Sequence, residues 1–447
     1  MRLRIRNFSL YKLAGTATIS LILPLIAIFM IAGCDNNKST GPGENQPPEV
    51  PTEPVPADGA TDIGLTITLQ CLCLDPEHDN LVYDYYFGTS STPPFVLTSE
   101  TYFHEFTNLE FLTTYYWKVV AKDTLRQQQT EGPIWSFSTG NIFEVDNYDT
   151  ERARRVVSLY DSLVFVADDN VGLKVFAVSD TAGVKLDSVR AYSNAAYIFD
   201  VLALGDRAYL ASSEGVQIYD ISDFTLPDSV AVLGNYNDAN REERSVKVNG
   251  NIAYVGVAAS NHANLISGLH VVDISDPAAP VLMGSYITAG VTNDVDLAGN
   301  YAYLADSLRG LLIIDISDPA NPDSVGSYAT AGPAWALDID NNLAYIACGM
   351  AGLEIVDISN PASPSLLTSF AAAGEPKDVY VAGDYAYIAS FWDGGLQILD
   401  VSTPASPVSE VSVGTRGGAW GIYADDRYVY LADTWAGLIL YRFAGIQ

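Results

Sequence analysis

The strongest constraint in this sequence is an internal repeat that runs from residue 141 to the end. Each copy has an aromatic residue in a short apolar segment, and successive aromatics lie 44, 45, 49, 42, 42 and 43 residues apart. A Gly follows each aromatic and opens a second apolar segment. A period of this length predicts a core built by stacking copies of one unit. The seven aromatic anchors are Phe165, Tyr209, Tyr254, Tyr303, Tyr345, Tyr387 and Tyr430.

Each repeat unit predicts four short strands and no helix. Gly-Asp or Gly-Asn pairs between the first two strands are typical of tight hairpin turns. Four strands in about 42 residues are typical of a β-propeller blade, so residues 141–447 predict seven blades. In the sixth copy the four predicted strands are Asp378–Val381, Tyr385–Ala389, Leu396–Val401 and Val408–Val413.

The two ends of the repeat region predict how the ring closes. The last copy stops after its third strand, at Tyr441-Arg442-Phe443. Asn141–Tyr148 corresponds to an outer strand but has no blade in front of it. We therefore expect this segment to complete the seventh blade and to remove both unpaired sheet edges.

The repeats resemble the bacterial LVIVD-repeat family. This resemblance covers about residues 141–447 and implies a propeller in cell-envelope or secreted proteins, with a largely undefined molecular activity. Copies one and seven depart from the motif, since they end in Ala177 and Arg442. The motif recurs in Leu269–Asp273, Leu311–Asp315, Leu353–Asp357 and Leu396–Asp400.

Residues 47–139 resemble a fibronectin type III module, which implies a β-sandwich. Leu109, Tyr115, Trp117 and Val119 follow its Leu-x5-Tyr-x-Trp-x-Val pattern near the tyrosine corner. Cys71 stands where the family usually has a core Trp. We expect Trp117 and Trp135 in the core.

Two polar features of this module allow more than one interpretation. Cys71 and Cys73 lie two residues apart on one strand face, which favours buried free thiols over a metal pair. Asp75–Asn80 favours a polar turn over a calcium loop, because the alternating spacing of an EF-hand is absent.

The first 46 residues predict export and lipid anchoring. A basic segment with Arg2, Arg4 and Arg6 precedes an apolar stretch that ends in Ile31-Ala32-Gly33-Cys34. This ending resembles the bacterial lipoprotein box, which implies a signal peptide over 1–33, lipidation of Cys34 and a flexible linker over 34–46. The alternative is an uncleaved signal anchor. Inner membrane, outer membrane and exposed surface all stay open.

Composition excludes several classes of protein. The formal charge of −31 leaves no basic field for nucleic acid. Four cysteines in 447 residues exclude a disulfide-built scaffold, and 48% hydrophobic residues exclude a disordered chain.

No catalytic set, metal site or cofactor motif stands out in the sequence. His262 and His270 lie eight residues apart without a third ligand at metal spacing. An Asp recurs five residues after the repeated Gly. Side-chain bonding to the following turn explains it better than a functional ring of carboxylates. These positions are Asp220, Asp273, Asp315, Asp357 and Asp400.

One face of the predicted propeller carries unusual side chains. Two sets of loops share that face, and they contain Trp335, Trp392, Trp420 and Trp435. The position ten residues before each anchor enters the innermost strand there. Recognition of a ligand and simple packing over a narrow channel both account for its large side chains. The seven occupants are Arg155, Phe199, Arg244, Asn293, Trp335, Lys377 and Trp420.

The leading hypothesis is a lipid-anchored, non-catalytic binding or adhesion protein of the bacterial envelope. Aromatic residues with Arg are the usual anchors of interfaces, and they also suit sugar rings, so the partner is a protein or a glycan. The alternatives are an envelope enzyme, for example one acting on polysaccharide at the channel mouth, and a purely structural spacer.

Overall fold

The computed structural model describes most of the chain from Gln46 onward, and in those residues the secondary structure is almost all strand. The residues described are 46–76, 78–124, 128–150, 153–160, 163–168, 172–179, 185–192, 197–221, 232–236, 241–259, 267–415 and 417–445. The signal peptide, Cys34 and nearly all of the linker predicted above lie outside these ranges.

Two sheets precede the repeats. Strands β1, β3 and β6 form a three-stranded sheet, and the order β2-β9-β7-β4-β5, with β8 on β7, forms a six-stranded sheet. The nine strands are β1 Thr52–Val55, β2 Ala60–Ile63, β3 Ile67–Leu72, β4 Leu81–Gly88, β5 Phe95–Ser99, β6 Phe103–Phe106, β7 Thr114–Asp123, β8 Gln129–Glu131 and β9 Trp135–Thr139.

The core between these two sheets matches the pattern of apolar residues. Trp117 is fully buried, and its ring lies 4.7 Å from that of Trp135, so both are core residues as predicted. The Tyr115 hydroxyl accepts a bond from the Glu110 N–H at 2.8 Å. Asp75 accepts the Asp79 N–H with its carboxylate at 2.9 Å and the His78 N–H with its backbone carbonyl at 3.1 Å, and such bonds are typical of a turn.

Cys71 lies in β3 and Cys73 directly follows it, and the two side chains differ in burial. Both are free, but only Cys71 is buried; Cys73 is half-buried, and its thiol donates to the Glu49 carbonyl at 3.1 Å. Burial, followed by the neighbouring Cys73, raises the pKa of Cys71 to about 12. Burial, then the charges of Glu49 and Asp75, raises the pKa of Cys73 to about 11, so neither thiol is a ready nucleophile at neutral pH.

The repeats form seven four-stranded antiparallel sheets, which we name sheets I to VII. Within the first six, the strands pair in chain order. Their bounds are β11 Ala153–Tyr160, β12 Leu163–Asp168, β13 Gly172–Ser179 and β14 Lys185–Tyr192 (I); β15 Ile198–Leu204, β16 Arg207–Ser212, β17 Gly215–Asp220 and β18 Val232–Tyr236 (II); β19 Arg241–Asn249, β20 Ile252–Ala259, β21 Ser267–Asp273 and β22 Val281–Thr288 (III); β23 Thr292–Ala298, β24 Tyr301–Asp306, β25 Gly310–Asp315 and β26 Asp323–Tyr328 (IV); β27 Ala336–Asp340, β28 Leu343–Ala347, β29 Leu353–Asp357 and β30 Ser365–Phe370 (V); β31 Glu375–Ala382, β32 Tyr385–Phe391, β33 Gly395–Asp400 and β34 Val408–Val413 (VI).

Sheet VII takes its strands from both ends of the repeat region. Its order is β10-β37-β36-β35, where β10 is Ile142–Tyr148 and the others are β35 Ala419–Ala424, β36 Val429–Asp433 and β37 Gly437–Phe443. The register places Ile142 opposite Phe443 and Tyr148 opposite Leu438. Short 3-10 turns join the second and third strands of sheets IV, V and VI, at Ser307–Arg309, Gly349–Ala351 and Trp392–Gly394.

Each aromatic anchor packs between its own sheet and the next one. All seven anchors are at most 3% exposed. Phe165 of sheet I shares a cluster with Val201 of sheet II, and the same pairing continues around to sheet VII. There Tyr430 lies in one cluster with Val164 and Phe176 of sheet I, so the last sheet packs against the first. Burying apolar side chains between sheets is the main stabilising term.

The repeated Gly is required by backbone geometry. At all seven positions φ is positive, between 57° and 147°. A Cβ at Gly437 would lie 2.2 Å from the carbonyl oxygen of Tyr148 on β10. A residue with a side chain therefore does not fit where the third strand begins beside the outer strand, and Gly is required at this position.

The pairing of β10 with β37 generates a prediction about stability. Deleting Ile142–Tyr148 from the full chain would unpair one edge of β37 and expose the cluster around Tyr441. We expect the apparent Tm to fall by about 10 °C or more. Deleting residues 35–45 serves as the control and should shift it little. Equal melting temperatures for the two deletions, measured by calorimetry, would contradict this account.

Candidate functional site

Five residues of the predicted ring lie at β-bulges. In each case the register between the first and second strand skips one residue: Phe199, Arg244, Asn293, Lys377 and Trp420. A bulge bends the strand and re-aims a side chain. The bulge therefore sets the direction of these side chains near the start of the first strand of each sheet. Trp420 accordingly lies within β35 and not in a loop, which corrects the expectation from the sequence.

Sheets I and V differ from that pattern. In sheet I the skipped residue is Arg154, whereas Arg155 pairs with Ala167, so the bulge falls one residue before the predicted ring member. Both arginine side chains lie outside the described part of the structure. Trp335 precedes β27, and its backbone N–H donates to the Ala347 carbonyl at 2.9 Å.

Three ring residues from sheets V, VI and VII form a compact stack. The Lys377 ammonium lies 3.5 Å from the centroid of Trp335 and 5.1 Å from that of Trp420. The two indoles meet edge to face at 6.0 Å. Lys377 is 6% exposed and its ammonium contacts the Glu375 carboxylate at 2.6 Å. Burial lowers the pKa of Lys377, and Glu375 opposes this shift. The stack holds both indoles by cation–π attraction.

Two further tryptophans are exposed to solvent and are linked to this stack through Phe391. Trp392 and Trp435 are 61% and 63% exposed, and the ring of Phe391 lies 5.1 Å from the first and 6.2 Å from the second. Phe391 also meets Trp420 at 5.5 Å. We call Trp335, Phe391, Trp392, Trp420 and Trp435 the aromatic face.

The backbone at Trp392 is strained. Its φ is +61°, a left-handed conformation that costs a non-Gly residue roughly 1–2 kcal/mol. The corresponding turn of sheet V begins instead with Gly349, at φ +57°. Sheet VI therefore holds a large, exposed indole in a conformation that suits Gly, which is typical of a functional position.

The other ring residues form separate contacts. The Arg244 guanidinium lies 5.2 Å from the Phe199 ring and bonds Glu242 at 2.9 Å. Asn293 is buried and donates to the Ala334 carbonyl at 2.9 Å. The structure thus joins Trp335, Lys377 and Trp420, joins Phe199 with Arg244, and ties Asn293 to the backbone before Trp335.

The recurrent Asp at the end of the third strand has a structural role. Asp273, Asp315, Asp357 and Asp400 each accept the N–H of the Ser two residues later, at 2.8–2.9 Å. Hydrogen bonds to Ser275 lower the pKa of Asp273, and equivalent bonds act on the other three. These carboxylates order turns, as predicted.

Sequence reasoning missed a set of carboxylates on the first strands. Each of these carboxylates accepts a backbone N–H from the first strand of the next sheet. The first strands of neighbouring sheets are not paired by backbone hydrogen bonds, so these side chains connect them. The sequence signal is Asp alternating with apolar residues, as in Asp294-Val295-Asp296. The bonds are Asp200 to Val246, Asp294 to Leu337, Asp296 to Ile339, Asp338 to Val381 and Asp378 to Ile422, at 2.6–3.2 Å.

These first strands surround a channel cavity of about 190 Å³ that contains a lysine among acids. Lys247 lies 3.4 Å from Asp296. Burial lowers the pKa of Lys247, but Asp296, Asp294, Asp338 and Asp200 outweigh it, so its pKa stays above the usual range. Burial, then repulsion from Asp296, raises the pKa of Asp338 to about 7 against the opposing effects of Lys247 and the Val381 N–H.

Among the described residues, no group of three or more His, Cys, Asp or Glu side chains is arranged to hold a metal ion. His262 lies outside the described ranges, and His270 is buried in sheet III. In the part of the chain with described structure, no helix is long and apolar enough to cross a membrane.

Together, the repeated four-stranded sheets define an all-β, β-propeller-like repeat protein. The LVIVD repeat matches residues 240–288, 289–330, 331–372, 373–415 and 416–440, so five of the seven copies are confirmed as this repeat. The seventh copy is among them despite its departure at Arg442; the copies anchored at Phe165 and Tyr209 are not.

Solved structures show the same kind of fold at low sequence identity. A structure of the mitotic checkpoint complex aligns with a TM-score of 0.52 at 12% identity, covering 67% of this chain and 93% of that one. The computationally designed Ika8 protein aligns with a TM-score of 0.50 at 10% identity, covering 68% and 100%. No curated protein sequence matches this chain. These similarities concern the fold alone.

The raised pKa of Asp338 predicts that the stability of the protein depends on pH. The folded-state pKa of Asp338, about 7, lies above the unfolded value of about 3.9, so the folded protein binds the extra proton between these pH values. Stability from this group is present at low pH and is lost as pH rises toward 7. Asp338→Asn stays neutral and can still accept the Val381 N–H.

We expect Asp338→Asn to leave Tm nearly unchanged at pH 4.5 and to raise it by about 2–5 °C at pH 8. Asp384→Asn, in an exposed turn, is the matched control and should show no such difference. A fall in Tm at pH 8 would mean that the Lys247 contact outweighs burial, contrary to this prediction.

Proposed function

We propose that the seven sheets are the blades of one closed seven-bladed β-propeller, preceded by a fibronectin type III-like sandwich. Three observations support this. The clusters between consecutive sheets include one between sheets VII and I. Sheet VII combines β10 with β37. In the sandwich, the Tyr115 hydroxyl bonds the backbone at Glu110, as in a tyrosine corner.

We further propose that the protein is a bacterial lipoprotein anchored in the cell envelope through Cys34. The support is the sequence Ile31-Ala32-Gly33-Cys34 after a long apolar segment, followed by the polar residues up to Gln46. Two or three acyl chains would anchor the protein durably, since each buried CH₂ contributes about 0.8 kcal/mol.

The proposed function is non-catalytic recognition of an envelope or extracellular ligand by the aromatic face. The observation that carries it is the pair Trp392 and Trp435, which keep most of their surface in solvent. The Phe391 ring contacts both of these indoles and also Trp420 of the Lys377 stack. Packing over the channel does not account for exposed indoles, nor for a strained backbone at Trp392.

The second candidate, an envelope enzyme, has one specific observation in its favour. Asp338, with a pKa near 7, shares the channel cavity with other carboxylates, as a general acid would. However, Asp200, Asp294, Asp338 and Asp378 each use an oxygen to bond the next sheet. That bracing role explains their presence without catalysis.

The recognition proposal predicts a loss of binding without a loss of stability. Replacing both exposed indoles (Trp392→Ala with Trp435→Ala) should weaken binding to an array of envelope glycans and proteins at least tenfold, about 1.4 kcal/mol. Val408→Ala, 57% exposed on β34, is the control and should bind as the unaltered protein does. Unchanged binding by the double variant at unchanged Tm would favour the structural-spacer alternative.

The anchoring proposal is tested in cells by Cys34→Ser. Because the lipid is attached to the thiol, the variant should accumulate as full-length precursor and take up no labelled fatty acid. The unaltered chain should be labelled and shortened by 33 residues. Normal labelling and processing of the variant would contradict lipidation at Cys34.

A further inference from the structure

A second feature lies beside the aromatic face and extends the proposed function. A cavity of about 380 Å³ opens between the outer strand of sheet VI and sheet VII. Its size is within the range of about 300–1,000 Å³ typical of small-ligand sites. Trp435 forms part of its wall, so one exposed indole belongs both to the aromatic face and to the cavity.

Several polar residues line the cavity together with Trp435. Glu144, Asn147 and Asp149, from β10 and the residue just beyond it, line one side and are exposed to solvent. The Glu144 carboxylate holds the Asn147 amide at 2.5 Å, which orients both side chains. Thr415 lines the cavity too, and its hydroxyl oxygen is shielded from solvent without a hydrogen-bond partner in the structure. A buried hydroxyl of this kind favours a bound polar group.

We propose that this cavity, together with Trp435, binds one neutral sugar residue of a glycan that continues across the aromatic face. An indole stacks on the apolar C–H face of a pyranose, while carboxylate, amide and hydroxyl groups satisfy the sugar hydroxyls.

The charge of the cavity sets the kind of sugar. The carboxylates that line it are those of Glu144 and Asp149, and the whole chain carries a formal charge of −31. Both repel a uronate or a sulfate ester, which disfavours acidic glycans. The cavity therefore disfavours acidic sugars, and the proposal is for uncharged hexose or N-acetylhexosamine units.

This inference rests on the proposed recognition function, and its test separates the two. The full-length protein is titrated with three probes: cellohexaose, chitohexaose and hexagalacturonate. Tryptophan fluorescence and calorimetry measure binding. At least one neutral hexasaccharide should bind saturably with Kd of about 10 µM–1 mM, and the acidic one should not.

Single substitutions then locate the site. We expect Trp435→Ala to weaken binding of the neutral probe at least tenfold, and Glu144→Gln and Thr415→Val to weaken it about threefold to tenfold. Val408→Ala should have no effect. Tm of each variant is measured alongside, because Thr415 is half-buried.

The outcomes that overturn the inference are distinct. Equal binding of the acidic probe, or no binding of either neutral probe at millimolar concentration, rules out a neutral sugar. If protein ligands still bind in a manner sensitive to Trp392→Ala, the recognition function stands and only the glycan assignment fails. If Trp435→Ala weakens sugar binding while Glu144→Gln and Thr415→Val do not, the sugar binds on the face and the cavity assignment is wrong.

Discussion

Neighbouring sheets meet around the channel through side-chain carboxylates that accept backbone N–H bonds. First strands of adjacent sheets share no ladder, so an amide such as that of Val246 or Val381 has no backbone acceptor across the gap. Asp200 and Asp338 supply it, and between sheets III and IV the Ser245 hydroxyl plays the same part by accepting the Val295 N–H. An unpaired buried amide would cost roughly 1–3 kcal/mol.

This solution concentrates negative charge in a narrow space. One lysine, Lys247, offsets part of it, and Asp338 relieves more by holding its proton toward neutral pH. The polar lining of the channel is thus a consequence of how the sheets are joined. The aromatic face is tied to this bracing, because Lys377 directly precedes Asp378, Trp420 lies two residues before Ile422, and the Asp378 carboxylate accepts the Ile422 N–H.

The sequence alone predicted the features that recur in every repeat. The anchors must fill the space between sheets, and the Gly must adopt positive φ, so both residue types are required at fixed spacing. The β34 bounds were predicted to the residue, while β31 extends by three residues toward its start and one at its end. Strand bounds at turns are therefore easier to predict from sequence than the start of a strand that contains a β-bulge.

The candidate site was predicted only in part. Its tryptophans stood out by composition, but bulges have no sequence signature, which is why Arg155 was named where the bulge falls at Arg154. The bracing carboxylates were missed because the alternation of Asp with apolar residues, as in Asp294-Val295-Asp296, indicates a strand but not a partner: the amides that these two carboxylates accept lie 43 residues later in the chain. The polar side of the cavity was missed for a similar reason: Glu144 and Thr415 are 271 positions apart.

The separation of Glu144 and Thr415 along the chain determines which copies of the protein can contain the cavity. Part of the cavity is lined by the first strand of the repeat region and the rest by its last two repeats, so a chain that lacks either end of this region lacks the cavity. A polypeptide still being synthesised, or one that a protease has shortened at either end of the repeats, has no pocket even where its remaining sheets are intact. Possession of the pocket therefore reports that the repeat region is whole, and capture of the ligand would be restricted to copies that contain both of its ends.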